Sequence, residues 1–210
     1  MINEKMRRYG TNRSTIRELF EYGKKMKNEL GEDSVFDYSL GNPSVEPPVC
    51  VNDGIISLIE ERSAIDLHGY TSAEGDIHVR RTIAESVEKR FGVETDPNLI
   101  YMTAGAAAAL TAVLSAVTTP SESVIVVAPF FPEYKVFVET AGAALKIVPA
   151  REKDFGLDID AIKEALDDTV AAIIINSPNN PTGAVYSKSD IKALAELLSK
   201  KAKNTRSRYI

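Results

Sequence analysis

The chain has 210 residues, 44% of them hydrophobic, and a net charge of −5. That length and apolar content suffice for one large globular domain or two small ones, and the acidic balance argues against nucleic acid as a partner. No apolar run approaches the roughly 18 residues of a membrane span. The basic start, Met1 to Arg8, lacks the apolar stretch of a signal peptide. Two histidines and one cysteine leave no metal cluster and no Ser-His-Asp set. Cys50, beside Pro47 and Pro48, predicts a packing residue in a reducing cytoplasm.

Residues 1 to 33 read as an amphipathic arm, with Ile16, Leu19, Phe20 and Gly23 at helical spacing. Val35-Phe-Asp-Tyr-Ser-Leu40 alternates as a strand does and runs into the stiff loop Gly41-Asn-Pro-Ser44. Residues 49 to 62 predict a helix with Val51, Ile55, Leu58 and Ile59 on one face. After the loop His68-Gly-Tyr-Thr-Ser-Ala-Glu-Gly75, Asp76 is placed to cap a helix carrying Val79, Ile83, Val87 and Phe91. From there strands at about 98–102, 123–128, 144–149 and 170–175 alternate with helices at 104–117, about 132–141 and 158–166. A last helix opens at the capping box Ser187-Lys-Ser-Asp190. This alternation predicts an α/β fold, three layers αβα around a mostly parallel sheet. The last eleven residues, 200 to 210, hold five basic residues and no acid, the pattern of a solvated or frayed terminus.

Three strand ends carry the residues of interest, because ligands of open α/β sheets bind at the carboxyl ends of strands. Thr103-Ala-Gly-Ala-Ala-Ala-Ala-Leu110 follows the first of them; small residues there serve close helix–sheet packing or backbone N–H contacts to an anion. It is neither a Walker motif nor GxGxxG. Ala128-Pro-Phe-Phe-Pro-Glu-Tyr134 offers either core packing or a rigid stacking plate for a flat ring. Asn176-Ser-Pro-Asn-Asn-Pro-Thr-Gly183 is a plain strand exit or a wall of a binding site.

Taken together, these pieces resemble the class I/II aminotransferases of the fold-type I pyridoxal-phosphate enzymes. The matching stretches are Tyr38-Ser-Leu-Gly-Asn-Pro43, His68 to Gly75 with Arg80, Thr103-Ala-Gly-Ala, Pro129-Phe-Phe-Pro-Glu-Tyr134 and Asn176 to Gly183. They follow the family's order from about residue 35 to 200, and Asn-Asn-Pro-Thr-Gly is the most specific. The resemblance implies a pyridoxal 5'-phosphate cofactor. Gly105, Ala106 and Ala107 would give N–H groups to its phosphate, Phe131 would stack on its ring, and Asn180 would hydrogen-bond the 3-hydroxyl oxygen, favouring its ionised form. Tyr70 would reach the phosphate of a neighbouring subunit in a homodimer, and Gly41 and Asn180 would line the substrate site. The implied reaction moves an amino group between an amino acid and a 2-oxo acid.

The family also has an aspartate for the ring nitrogen, a Schiff-base lysine in a Ser-x-Ser-Lys setting, and arginines for phosphate and substrate carboxylate. No matching segment occurs in the 210 residues, and Ser187-Lys188 reads as a capping region instead. The expectation is an N-terminal half: an arm and small-domain segment at 1–50, part of the cofactor-binding large domain at 51–203, and an aberrant or frayed tail at 204–210. The alternatives are a non-catalytic dimerising module, or a lyase or decarboxylase of the same family.

Overall fold

The computed structural model describes residues 2–11, 15–41 and 45–205. Asn42, Pro43 and Ser44 of the stiff loop, and residues 206–210 of the basic tail, lie outside them. The chain divides into two units, Met1–Tyr70 and Thr71–Ile210.

The first unit is helical: α1 (Glu4–Thr11), α2 (Thr15–Leu30), α3 (Val49–Glu61) and α4 (Ala64–His68). Gly23 alone is buried among its described residues. The Asp37 carboxylate lies against it, and a Cβ at Gly23 would come within 2.7 Å of Asp37 Oδ2. Asp37 also accepts from the Ser39 N–H and hydroxyl. The strand expected at 35–40 does not form. Val35, Asp37 and Ser39 do turn inward while Phe36 and Tyr38 point out, so the alternation is real. A strand also needs a neighbouring ladder to satisfy its N–H and C=O groups, and among the described residues the segment has none. The α3 face of Val51, Ile55, Leu58 and Ile59 forms as expected but stays exposed. Cys50 is likewise exposed, not packed.

The second unit holds α5 (Ile77–Phe91), α6 (Ala106–Val117), β1 (Ser123–Ala128), α7 (Glu133–Thr140), β2 (Ala144–Pro149), α8 (Ile159–Ala165), β3 (Val170–Ile174) and α9 (Lys188–Thr205). The three strands pair in parallel in the order β2-β1-β3. β1 is the central strand and is buried from Ser123 to Val127. Its side chains alternate between two cores, as the pleat requires. Ile125 and Val127 face Ile162, Leu166 and Leu194 of the α8–α9 side. Val124 faces Leu114 and Val138 of the α6–α7 side. The fold is the three-layer αβα arrangement expected.

The strand expected at 98–102 is absent. Pro97–Leu99 make a short 3-10 turn capped by Asp96, and Leu99 and Tyr101 stay exposed with no strand beside them. Helix α5 is capped by Asp76, whose carboxylate accepts from the His78 and Val79 N–H groups. Its inward face is Arg80, Ile83, Ala84 and Val87, while Val79 and Phe91 are exposed. Arg80 is buried because its guanidinium donates to the Gly75 and Pro97 carbonyls, at 3.1 and 2.9 Å.

Candidate functional site

Helix α6 ends at Val117, and a tight turn of five residues, 118–122, leads into β1 at Ser123. Leu114, in the last turn of α6, packs with Val124 at the start of β1. In a parallel α/β sheet a helix that leads into a strand runs antiparallel to it, which sets its N-terminus towards the strand's carboxyl end. The lengths match: 12 residues of helix cover about 18 Å, and 6 of strand about 20 Å.

That N-terminus is open. Gly105 caps it at φ 88° and ψ 172°, a conformation that strains any residue with a Cβ. No side chain accepts from the first helical N–H groups, which have no acceptor within the helix either. The Thr103 hydroxyl turns to the Gly105 carbonyl instead, at 3.0 Å. Gly105, Ala106 and Ala107 are all exposed. Unsatisfied N–H groups at the positive end of a helix dipole, with only methyl groups around them, suit an anion such as a phosphate.

At the end of β1 the chain turns through a cis Ala128–Pro129 bond into Phe130 and Phe131, both half-buried. Tyr134, in the first turn of α7, organises both rings. It lies edge-on to Phe131 with centroids 5.7 Å apart, and stacks on Phe130 at 6.5 Å. Burial holds the Tyr134 hydroxyl above its ordinary pKa. Phe131 thus has a fixed orientation, as a stacking surface requires.

β3 lies beside β1 in parallel, so the turn after β3 leaves the sheet at the same edge. It holds cis Ser177–Pro178 and Asn180–Pro181 bonds. Its two adjacent asparagines have opposite fates: Asn179 is buried and Asn180 is exposed. Asn179 closes the turn with its backbone, taking the Gly183 N–H at 2.7 Å and giving its own N–H to the Ala184 carbonyl at 2.8 Å. Its side-chain oxygen accepts the Thr182 hydroxyl at 2.9 Å and N–H at 3.2 Å. The hydroxyl of buried Tyr186 lies near the Asn179 side chain: burial raises the Tyr186 pKa, Asn179 opposes that rise, and nearby Tyr134 adds to it. Asn180 receives a separate brace, from its N–H to the Asn176 side chain at 2.8 Å.

The start of α9 is fixed in turn. Ser187 and Asp190 form the expected capping box, with Asp190 N–H to Ser187 Oγ at 3.0 Å and Ser187 N–H to Asp190 Oδ2 at 3.3 Å. Arg151, just past β2, clamps Asp190 at 2.7 and 3.2 Å and Asp154 at 3.0 and 3.1 Å. It holds both carboxylates below the usual aspartate range. Its guanidinium crosses Gly156, where a Cβ would stand 2.1 Å from Nη2.

Of the residues singled out in the sequence, Gly105, Ala106, Ala107, Phe131 and Asn180 belong to turns at one edge of the second unit. Gly41 and Tyr70 belong to the first unit, where both are exposed. The sequence reading passed over Asn179, Tyr134 and Tyr186. Their signal was weak: an asparagine beside another and two tyrosines flanking the motifs. Among the described residues, no group of acidic, histidine or cysteine side chains fits a metal ion, and no helix is long and apolar enough to cross a membrane.

The family model described as aminotransferase class I and II matches residues 35–204. An aspartate aminotransferase of Pyrococcus abyssi is 33% identical over 187 residues, covering 88% of this chain and 46% of its own length. The crystal structure of an amino transferase from Eubacterium rectale superposes with a TM-score of 0.96 at 46% identity, covering 100% of this chain and 53% of that one. The structure of N-succinyldiaminopimelate aminotransferase from Mycobacterium tuberculosis gives a TM-score of 0.71 at 31% identity, with 81% and 43% covered. The chain spans about half the length of these relatives.

Proposed function

Because the chain belongs to the family of class I and II aminotransferases, we propose that it supplies part of a site for pyridoxal 5'-phosphate. The reaction served is transfer of an amino group between an L-amino acid and a 2-oxo acid. The observation that carries this reading is the convergence on one sheet edge of an open helix N-terminus, an oriented aromatic ring and an exposed amide. The residues present suit the cofactor: an anion cradle, a flat surface and a hydrogen-bond donor are what a phosphorylated hydroxypyridine needs. When bound, the cofactor supplies the electron sink that loosens bonds at an amino acid's α-carbon.

In this reading the N–H groups of Ala106 and Ala107 hold the phosphate, Gly105, whose own N–H donates to the Thr103 carbonyl at 2.9 Å, shapes the turn that presents them, and Phe131 stacks on the ring. The Asn180 amide donates to the 3-oxygen and favours its ionised form. Tyr70 reaches the phosphate of a second subunit, and Gly41 lines the pocket for the substrate carboxylate. A homodimer belongs to the same reading, since Tyr70 acts across to a second subunit. A cytoplasmic setting fits the lone thiol of Cys50.

The sequence has no Ser-x-Ser-Lys segment, so the 210 residues bind the cofactor without catalysing transfer by themselves. Titration with pyridoxal 5'-phosphate, with inorganic phosphate as competitor, tests this. The expected result is reversible binding that phosphate displaces, with borohydride trapping no single lysine. Binding that phosphate leaves untouched would overturn the site, and one uniquely trapped lysine would overturn the absence of catalysis.

A further inference from the structure

We propose that Asn179 is a positioning residue: buried under the β3 turn, it sets the direction in which Asn180 presents its amide. This rests on the reading of the turn as a wall of the cofactor site. Buried polar groups need hydrogen-bond partners, and Asn179 has them on its side-chain oxygen and along its backbone. Its oxygen takes two donors from Thr182, and its backbone closes the turn on Gly183 and Ala184.

Contacts on either side of Asn180 in the chain hold it in place. Thr182 and Gly183 follow it across Pro181, and the Asn176 side chain holds its N–H from before. Tyr186 ties the assembly to the core beside Ile125, Val127 and Leu194. Asn180 itself is exposed, and among the described residues its side chain finds no hydrogen-bond partner. Its direction is therefore inherited from its buried neighbour. Two adjacent asparagines divide the work, one bracing inward and the other facing out.

The test uses pyridoxine 5'-phosphate, which has no aldehyde and cannot react with lysines. Two readouts are followed on the full chain: affinity, and the ionisation of the ligand's 3-hydroxyl by ultraviolet absorbance against pH. Wild-type protein is expected to bind it and to lower the pKa of that hydroxyl, and Asn180→Ala to remove the shift. Asn179→Ala is expected to remove the same shift and weaken the ligand by about tenfold, while inorganic phosphate binds as before. A general loss of stability would weaken both ligands together. Should Asn179→Ala lose its thermal transition, the isosteric Thr182→Val decides in its place, with a smaller loss in the same direction. A wild-type shift retained in the folded variant overturns the proposal and leaves the site standing. No binding by the wild-type chain overturns both.

Discussion

The two units carry similar apolar patterns and use them differently. In the second unit, Ile125, Val126 and Ile162 are sealed completely between strands and helices. In the first, α3 presents Ile55, Leu58 and Ile59 at helical spacing and leaves each about half exposed or more. Periodicity states which face of an element is apolar. Whether that face is covered depends on what packs against it, which periodicity does not state.

The contrast between the two units can be measured. Hydrogen exchange gives the largest effect: amides of β1 should exchange only through global unfolding, while those of α3 exchange faster by about three orders of magnitude or more through local opening. Comparable protection in both elements would erase the contrast. Truncating Ile125 to Ala should cost about 3 kcal/mol in denaturant unfolding, whereas Ile55→Ala should stay within about 0.5 kcal/mol. Equal costs would mean that α3 is covered in solution. Tyr186→Phe removes a single hydroxyl from the Asn179 brace and should cost about 1 kcal/mol, measured in the same way.

The smallest effect is expected in acid. Arg151 holds Asp190 and Asp154, and Lys146 with Thr169 holds Asp167, below the ordinary aspartate pKa. A depressed carboxylate stabilises the fold fully above its unfolded pKa, and that contribution fades as pH falls through the folded one. The thermal midpoint should thus be flat near neutrality and fall below about pH 4. Asp190→Asn should start lower and lose less on acidification. An unchanged acid slope in that variant would remove the Arg151 pair from the account.

Much of the second unit was legible in the sequence because its signals are local. Asp76 and the Ser187–Asp190 box open their helices by capping chemistry, and Val124 to Val127 form a short β-branched run of the kind found in buried strands. Two other strands were misread because pairing is not local: 35–40 and 98–102 have strand-like composition and no partner ladder. In α5 the eye follows Val79 and Phe91, yet Arg80 is the residue buried, since two loop carbonyls from outside the helix receive its guanidinium. The candidate site shows the same division. The pieces that would meet a ligand, Gly105, Phe131 and Asn180, stand out as turn chemistry. The side chains that orient them, Tyr134 and Asn179, are ordinary residues whose importance comes from contacts made after folding.

The Arg151–Asp190 pair joins positions 39 residues apart, and the whole of α8, β3 and the Asn176–Gly183 turn lies within the loop it closes. Closing a loop of that length carries an entropic cost that must be met before the contact contributes. The pair thus joins the end of β2 to the start of α9 around the turn that displays Asn180. During synthesis, a ribosome would have to release Asp190 before the segment that displays Asn180 could be locked from both sides.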